Sequence, residues 1–394
     1  MAIRKVAVLE SELEARMLEA ELHKRGIEHV VRSYHDSAYD GLFQGAKGWG
    51  HVEADESDRD SITAVLEDLK AGAVQDDVLV RHPANPLLTA EDVPYAATLV
   101  FNAGVTKYAG RYVMAFRNDY GDFKQSGGEH GTNIGLAFSD DGIRWDCEPT
   151  PWIAWSTDEI RRAYDPRLTV LDGRAYLCFA VDTAHGIRGG VAVTDDFDRW
   201  ELLSLSAPDN RNMVLFPERV DGRMVRLERP FPIYGRSGPE QFDIWLSDSP
   251  DGCYWGHTRL VLGSESVPWC NAKIGPAAPP VRTERGWLTT FHAVDINRDR
   301  ELPAWHANWY KTYTMGLMLL DLQQPWKVIG MCPDPILEPR AGYELQGYRG
   351  SVVFPGGMIL ESDGEVKIYY GAADTVECLA TADVGDLLAL CEPC

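Results

Sequence analysis

An all-β five-bladed β-propeller preceded by a small N-terminal α+β domain is the fold this sequence predicts, on three observations. A strand–turn–strand unit built around a glycine recurs five times from about residue 85 onward. A turn of Ser or Thr with Asp, followed within a few residues by Trp, recurs three times between those units. The first 75 residues differ, with apolar residues at helical spacing between short strands. The expected division is therefore residues 1–75 as an accessory domain and 76–394 as the propeller.

In chain order, Val6-Ala-Val-Leu9 reads as a strand, and Ser11-Glu-Leu-Glu14 as a capping box opening a helix. Leu13, Met17, Leu18 and Leu22 follow at helical spacing, and Gly26 stands at the C′ position. Ile27–Val31 and Gly48–Val52 are further strands. Asp55–Asp60 opens a second helix carrying Ile62, Val65, Leu66 and Leu69, closed by Gly72. The order is β-α-β-β-α, ferredoxin-like. It holds no nucleophile beside a base and no phosphate-binding glycine loop. Subunit contact in a homo-oligomer, or narrowing of a site's acceptor side, is the role this composition leaves.

Past that point the glycine turns stand at Gly110, Gly173, Gly222, Gly286 and Gly364, as in Val170-Leu-Asp-Gly-Arg174. Each is flanked by alternating apolar residues, the pattern of a hairpin. The intervals are long enough for four-stranded sheets. The second echo, Ser139–Trp145, Thr194–Trp200 and Ser247–Trp255, marks turns that tryptophan covers. Radial repetition of four-stranded sheets is a propeller, with a β-sandwich carrying long loops as the alternative.

Composition narrows the function. With 38 Lys+Arg against 60 Asp+Glu the net charge is −22, which argues against nucleic acid and against anionic membrane as partners. No apolar run approaches a membrane span, and the N-terminal apolar stretch is too short for a signal core, so a cytoplasmic protein is expected. The eight cysteines show no disulfide spacing. Cys391 and Cys394 form a terminal CxxC, read as a solvated tail. HExxH, EF-hand, GxSxG and P-loop motifs are absent, so neither a metal nor an organic cofactor is expected.

Polar residues that break into apolar strands mark the candidate site. Asn102 sits inside Val100–Gly104, Arg117 ends Tyr112–Phe116, and Asp165 and Arg167 precede Leu168–Leu171. Arg211 and Asn212 precede Met213–Phe216, Lys273 precedes Ile274, His292 ends Leu288–Phe291, and Asp374 follows Tyr369–Ala373. Taken singly, each is an ordinary strand end or turn. Their recurrence, one or two per repeat, points to one mouth of a central channel. Arg117, Arg211, Lys273 and His292 suit an anion such as phosphate, whereas Asp165 and Asp374 could hold sugar hydroxyls or move a proton.

The ordered blocks Phe101-Asn-Ala-Gly104, Tyr164-Asp-Pro-Arg167, Asn210-Arg-Asn-Met-Val-Leu-Phe-Pro-Glu218, Lys273-Ile-Gly275, Phe291-His292 and Tyr369–Thr375 resemble the mannoside phosphorylases of glycoside hydrolase family 130 over roughly residues 85–390. That resemblance implies a five-bladed propeller and inverting phosphorolysis of β-mannosides, of β-1,4-mannosyl-glucose or β-mannooligosaccharide type, by inorganic phosphate as co-substrate. The product is α-mannose 1-phosphate. It implies Asp165 as the proton donor, Arg211, Lys273 and His292 as phosphate ligands with Asn212, Arg229 and Tyr313 as helpers, and Asn102, Arg117 and Asp374 as mannosyl ligands. The stretch Asp295–Trp309, with Trp305 and Trp309, departs from the family pattern on the acceptor side.

One acid suffices in such a reaction. An inverting hydrolase needs a second carboxylate to activate water, whereas phosphate arrives ionised. A resting acid must keep its proton, so burial or a neighbouring carboxylate is expected to raise Asp165, with Arg167 opposing if it faces the same way. Two other readings stand beside this one: a β-mannoside hydrolase of the same family, and a carbohydrate-binding propeller without turnover.

Overall fold

Alternating apolar residues dominate the chain after residue 78, and in the computed structural model they form antiparallel sheets almost throughout. The structure describes residues 3–9, 15, 18–19, 22–23, 25, 27–33, 50–59 and 61–66, and then 78–123, 130–232, 234, 240–305 and 308–393. The chain divides into two compact units, Met1–Asp77 and Val78–Cys394.

In the first unit, β1 (Ile3–Leu9), β2 (His29–Ser33) and β3 (Gly50–Asp55) form one sheet in the order β1-β3-β2, with β3 antiparallel to both neighbours. This is the split β-α-β order. Ala15, Leu18 and Leu22, together with Ile62, Val65 and Leu66, are helical and buried against Val6, Leu9, Val52 and Ala54. The first half of the second predicted helix is a 3-10 turn, Glu56–Asp58, capped by Asp55. The capping box at 11–14, Leu13, Met17, Gly26, Gly48, Leu69 and Gly72 lie outside the described residues.

Among the described residues the second unit holds five sheets in sequence. They are β5–β8 (Leu99–Tyr108, Arg111–Gly121, His130–Ser139, Asp146–Cys147) and β9–β12 (Ile160–Leu171, Arg174–Thr183, Gly186–Thr194, Glu201–Leu205). Next come β13–β16 (Asn210–Leu215, Met224–Pro230, Ile244–Ser249, Gly256–Leu262) and β17–β21 (Ile274–Pro276, Val281–Arg282, Trp287–Ile296, Lys311–Leu320, Val328–Met331). The fifth sheet joins β22–β24 (Val353–Leu360, Glu365–Ala372, Val376–Asp383) to β4 (Val80–Arg81).

The fifth sheet thus takes its outer strand from the start of the unit, with Ala380 opposite Arg81 and Thr381 opposite Val80. Arg81 anchors that strand through two bonds of 2.8 and 2.9 Å to the buried carboxylate of Glu344. Residues before 85 therefore do belong to the sheets, which their two-residue length hid from sequence reading.

Five apolar layers fill the spaces between sheets. Leu136 and Leu177 belong to the layer of the first and second sheets, Cys178 and Met213 to that of the second and third, and Phe216 and Trp287 to that of the third and fourth. Leu317 and Ile368 join the fourth to the fifth, and Val105 and Tyr369 join the fifth back to the first. Full burial of side chains of this size contributes about 1.5–3 kcal/mol each.

Gly110, Gly173, Gly222 and Gly364 turn their hairpins with φ between +77° and +96°, the region glycine enters without strain. The Ser/Thr–Asp turns follow the third strand of three sheets. The hydroxyls of Ser139, Thr194 and Ser249 accept the amides of Gly142, Phe197 and Gly252, and Asp141, Asp196 and Asp251 accept the next two amides. In the third turn the capping serine is Ser249, two residues later than the repeat suggested.

Among the described residues, Cys147, Cys178, Cys253, Cys270, Cys332 and Cys378 are free thiols, and no helix is long and apolar enough to cross a membrane. Cys394 lies outside the described residues.

Candidate active site

The first strands of three sheets, β5, β9 and β13, each break register in the middle of the strand, and β9 once more near its start. Asn102-Ala103, Asp165-Pro166 and Asn212-Met213 are left out of the ladder. At these bulges Asn102, Asp165 and Asn212 have φ of +54°, +52° and +56°. Asn and Asp tolerate this left-handed backbone best after glycine, and a bulge re-aims the side chain it carries. Asp374 has φ +48° in the β23–β24 hairpin. All four line one cavity, with Arg117, Arg211, Arg229, His292, Tyr313, Arg349, Val352 and Phe354.

Nine of the ten predicted site residues therefore meet, and Lys273 is not among the lining residues. Arg117, Asp165, Arg211, Asn212 and His292 lie inside strands rather than at the ends where the sequence put them. A polar residue facing the cavity interrupts the apolar run, so the run reads shorter than the strand.

Asp165 is held on two sides. Its Oδ1 accepts from Asn102 Nδ2 at 3.1 Å and from Arg117 Nη1 at 3.4 Å. Arg117 is itself gripped by Asp119 through Nε and Nη2, at 2.9 and 2.6 Å, and lies over the rings of Phe101 and Tyr164. Burial pushes the Asp165 carboxyl up, but Arg117, Arg167 and Arg211, with the Asn102 amide, hold it below the ordinary carboxylate range. The expected upward shift is thus reversed in the free site. For Asp374, burial wins over Arg349 and Arg117, and its pKa is raised.

Arg167 is a structural hub. It is fully buried and donates to carbonyls of three sheets and to one just past β17: Ala277 at 2.6 Å, Pro166 on its own strand at 2.7 Å, Pro355 at 3.1 Å and Asn102 at 3.3 Å.

The second group is cationic. Arg229 Nη1 donates to His292 Nε2 at 2.8 Å, and His292 stacks on Tyr313 with ring centroids 6.1 Å apart. Burial and Arg211 pull Arg229 down to about 9, while burial and the surrounding cations keep His292 far below its ordinary value. Burial works against the charge on Arg211, yet Tyr164 and Asp165 raise its pKa. Arg211 Nε, Arg229 Nε, His292 Nδ1, Asn102 Oδ1 and Asn212 Oδ1 are buried and make no hydrogen bond among the described residues. Unpaired buried polar atoms are costly, and their concentration in one cavity is the signature of a ligand site.

Lys273 is buried, with its Nζ 3.1 Å from Glu240 Oε2. Sequence reading missed Arg349, Asp119, Phe354 and Glu240. Asp119 had a signal, two residues after Arg117 on the same strand; Arg349 and Glu240 sit in loops without one.

The model of the family described as β-1,4-mannooligosaccharide phosphorylase, glycoside hydrolase family 130, matches residues 78–393. The chain belongs to glycoside hydrolase family 130. Within family 130 it is similar to a β-1,4-mannooligosaccharide phosphorylase of Ruminococcus albus, at 33% identity over 79% of this chain and 90% of that protein. A 1,2-β-oligomannan phosphorylase of a Thermoanaerobacter species is 31% identical over 73% of this chain and 91% of that protein. The solved β-1,2-mannobiose phosphorylase of Listeria innocua, in complex with β-1,2-mannobiose, superposes with a TM-score of 0.68 at 25% identity, covering 79% of this chain and 98% of that one. The family 130 match begins at residue 78, so the first unit lies outside it.

Proposed function

We propose that this chain is an inverting β-mannoside phosphorylase, releasing α-mannose 1-phosphate, with Asp165 as the general acid. The observation that carries the reading is a single cavity in which an acid bonded to Asn102 and Arg117 faces the same space as Arg211, Arg229 and His292, whose Nε, Nε and Nδ1 atoms lack partners among the described residues. Family membership supports the same chemistry. In this reading the five sheets are the blades of a five-bladed β-propeller, which the five apolar layers, the last returning to the first sheet, support.

Asp165 delivers its proton to the glycosidic oxygen as the C1–O bond breaks. Phosphate attacks C1 from the opposite face and needs no base because it is already an anion. Arg211, Arg229, Asn212 and the Nδ1–H of His292 donate to phosphate oxygens, and Tyr313 backs the imidazole. Asn102, Arg117 and Asp374 hold the mannosyl hydroxyls. Phosphate beside Arg211 offsets the positive charge that keeps Asp165 ionised, so anion and proton enter together. β-1,4-Linked mannosides are the first substrates to try, given the Ruminococcus relative.

The test is incubation with β-1,4- and β-1,2-mannobiose and with mannosyl-glucose, with and without phosphate. Mannose 1-phosphate formed only with phosphate is the expected result. Free mannose released at the same rate without phosphate would overturn the reading in favour of hydrolysis.

A further inference from the structure

We propose that Glu240 is a positioning residue for phosphate, tying Lys273 and Lys311 together beside the cationic group and keeping Lys273 charged; this rests on the phosphorylase reading above. Glu240 Oε2 accepts from Lys273 at 3.1 Å and from Lys311 at 2.7 Å, and its Oε1 accepts from Lys311 at 2.9 Å. Lys311 stands two residues before Tyr313 on β20, so strand alternation puts both on one face. The Lys273 carbonyl accepts from the amide of Val294, whose partner across the sheet is Tyr313. Both lysines are therefore close to that tyrosine along the sheet backbone, and Tyr313 lines the cavity.

The charges facing Lys273 are unfavourable except one. Burial, Arg229, Lys311 and Arg211 press its pKa down to about 7, and Glu240 alone among the named causes raises it. His292 faces the same group and is kept neutral by its own burial and by Arg229. Glu240 shares its adjoining pocket with Asp295 and Asp299. Burial pushes Glu240 up, but Lys311 and Lys273 hold it at about 2, so it remains an anion throughout the working range. An ammonium group has three donors, and Glu240 uses one. Two are left for phosphate oxygens, so carboxylate and phosphate bind Lys273 at once rather than competing.

The experiment is Glu240→Gln in the full chain, with steady-state kinetics from pH 6 to 9 at saturating mannoside. Parent and variant share buffers, which cancels the titration of phosphate itself. The expected result is a phosphate KM raised about tenfold near neutral pH, as for loss of one charge-assisted bond, with kcat within twofold and the mannoside KM unchanged. The alkaline fall of kcat/KM for phosphate should move to lower pH, and Glu240→Asp should restore part of it. A phosphate KM below the parent's would overturn the proposal, showing Glu240 to be a competitor. An unmoved pH profile, or equal changes in both substrates, would overturn it as well. A parent enzyme indifferent to phosphate would instead sink the phosphorylase reading, independently of the variant.

Discussion

Arg229 donates through Nη1 to Nε2 of His292 at 2.8 Å, and this contact decides the state of the imidazole. A guanidinium has no acceptor, so Nε2 must carry the lone pair and Nδ1 the proton. With burial and neighbouring cations both disfavouring a second proton, His292 is a neutral donor whose Nδ1–H has no partner in the protein. The cradle gains a hydrogen bond there without adding another positive charge to Arg211 and Arg229.

Asp165→Asn should remove phosphorolysis while leaving fold and sugar binding in place. Asn preserves the contacts with Asn102 and Arg117 in outline but carries no transferable proton, so a loss of about 10²–10⁴-fold in kcat is expected. Turnover within a few-fold of the parent would remove Asp165 from the role of acid.

Phosphate binding should draw a proton onto Asp165. Its pKa lies below the ordinary range because Arg117, Arg167 and Arg211 overcome burial, and phosphate at Arg211 weakens that pull. Titration calorimetry in two buffers of different ionisation enthalpy should show greater proton uptake by the parent than by Asp165→Asn. Identical proton counts would contradict the coupling. The sign for stability is separate: the ionised, depressed Asp165 stabilises the fold above the ordinary carboxylate range, and that contribution is lost as pH falls through its lowered value.

Arg167→Met should destabilise the second unit by about 3 kcal/mol or more, because four carbonyls, from three sheets and the turn after β17, lose a donor in a buried setting. Urea unfolding followed by near-ultraviolet circular dichroism measures this. A midpoint matching the parent's would show that these segments hold together without the hub.

A chain beginning at Val78 should fold and make mannose 1-phosphate, since it keeps β4 and the whole of the family match. Its mass by light scattering should fall if the first unit mediates self-association. A chain beginning at Asn85 should be much less stable, having lost Val80–Arg81 and the Arg81–Glu344 pair. Equal stability of the two chains would show that this closing strand is dispensable.

The sequence by itself determined what depends on neighbours a few residues away. Glycine turns with positive φ, Ser/Thr–Asp turns and alternating strands are local, and the blocks around Asp165, Arg211 and His292 marked the site before any geometry was known. Only the tertiary structure decided what depends on groups distant along the chain. The bulges at Asn102, Asp165 and Asn212 exist against partner strands, so local pattern placed Asp165 and Asn212 ahead of their strands and gave no sign of the bulge at Asn102. Three arginines from three strands converge on Asp165 and reverse the shift that burial alone would cause. Lys273 is turned to Glu240, 33 residues away, and β4 reaches the last sheet across nearly the whole unit. Electrostatic work depends on separation in space, and a sequence orders residues only along the backbone.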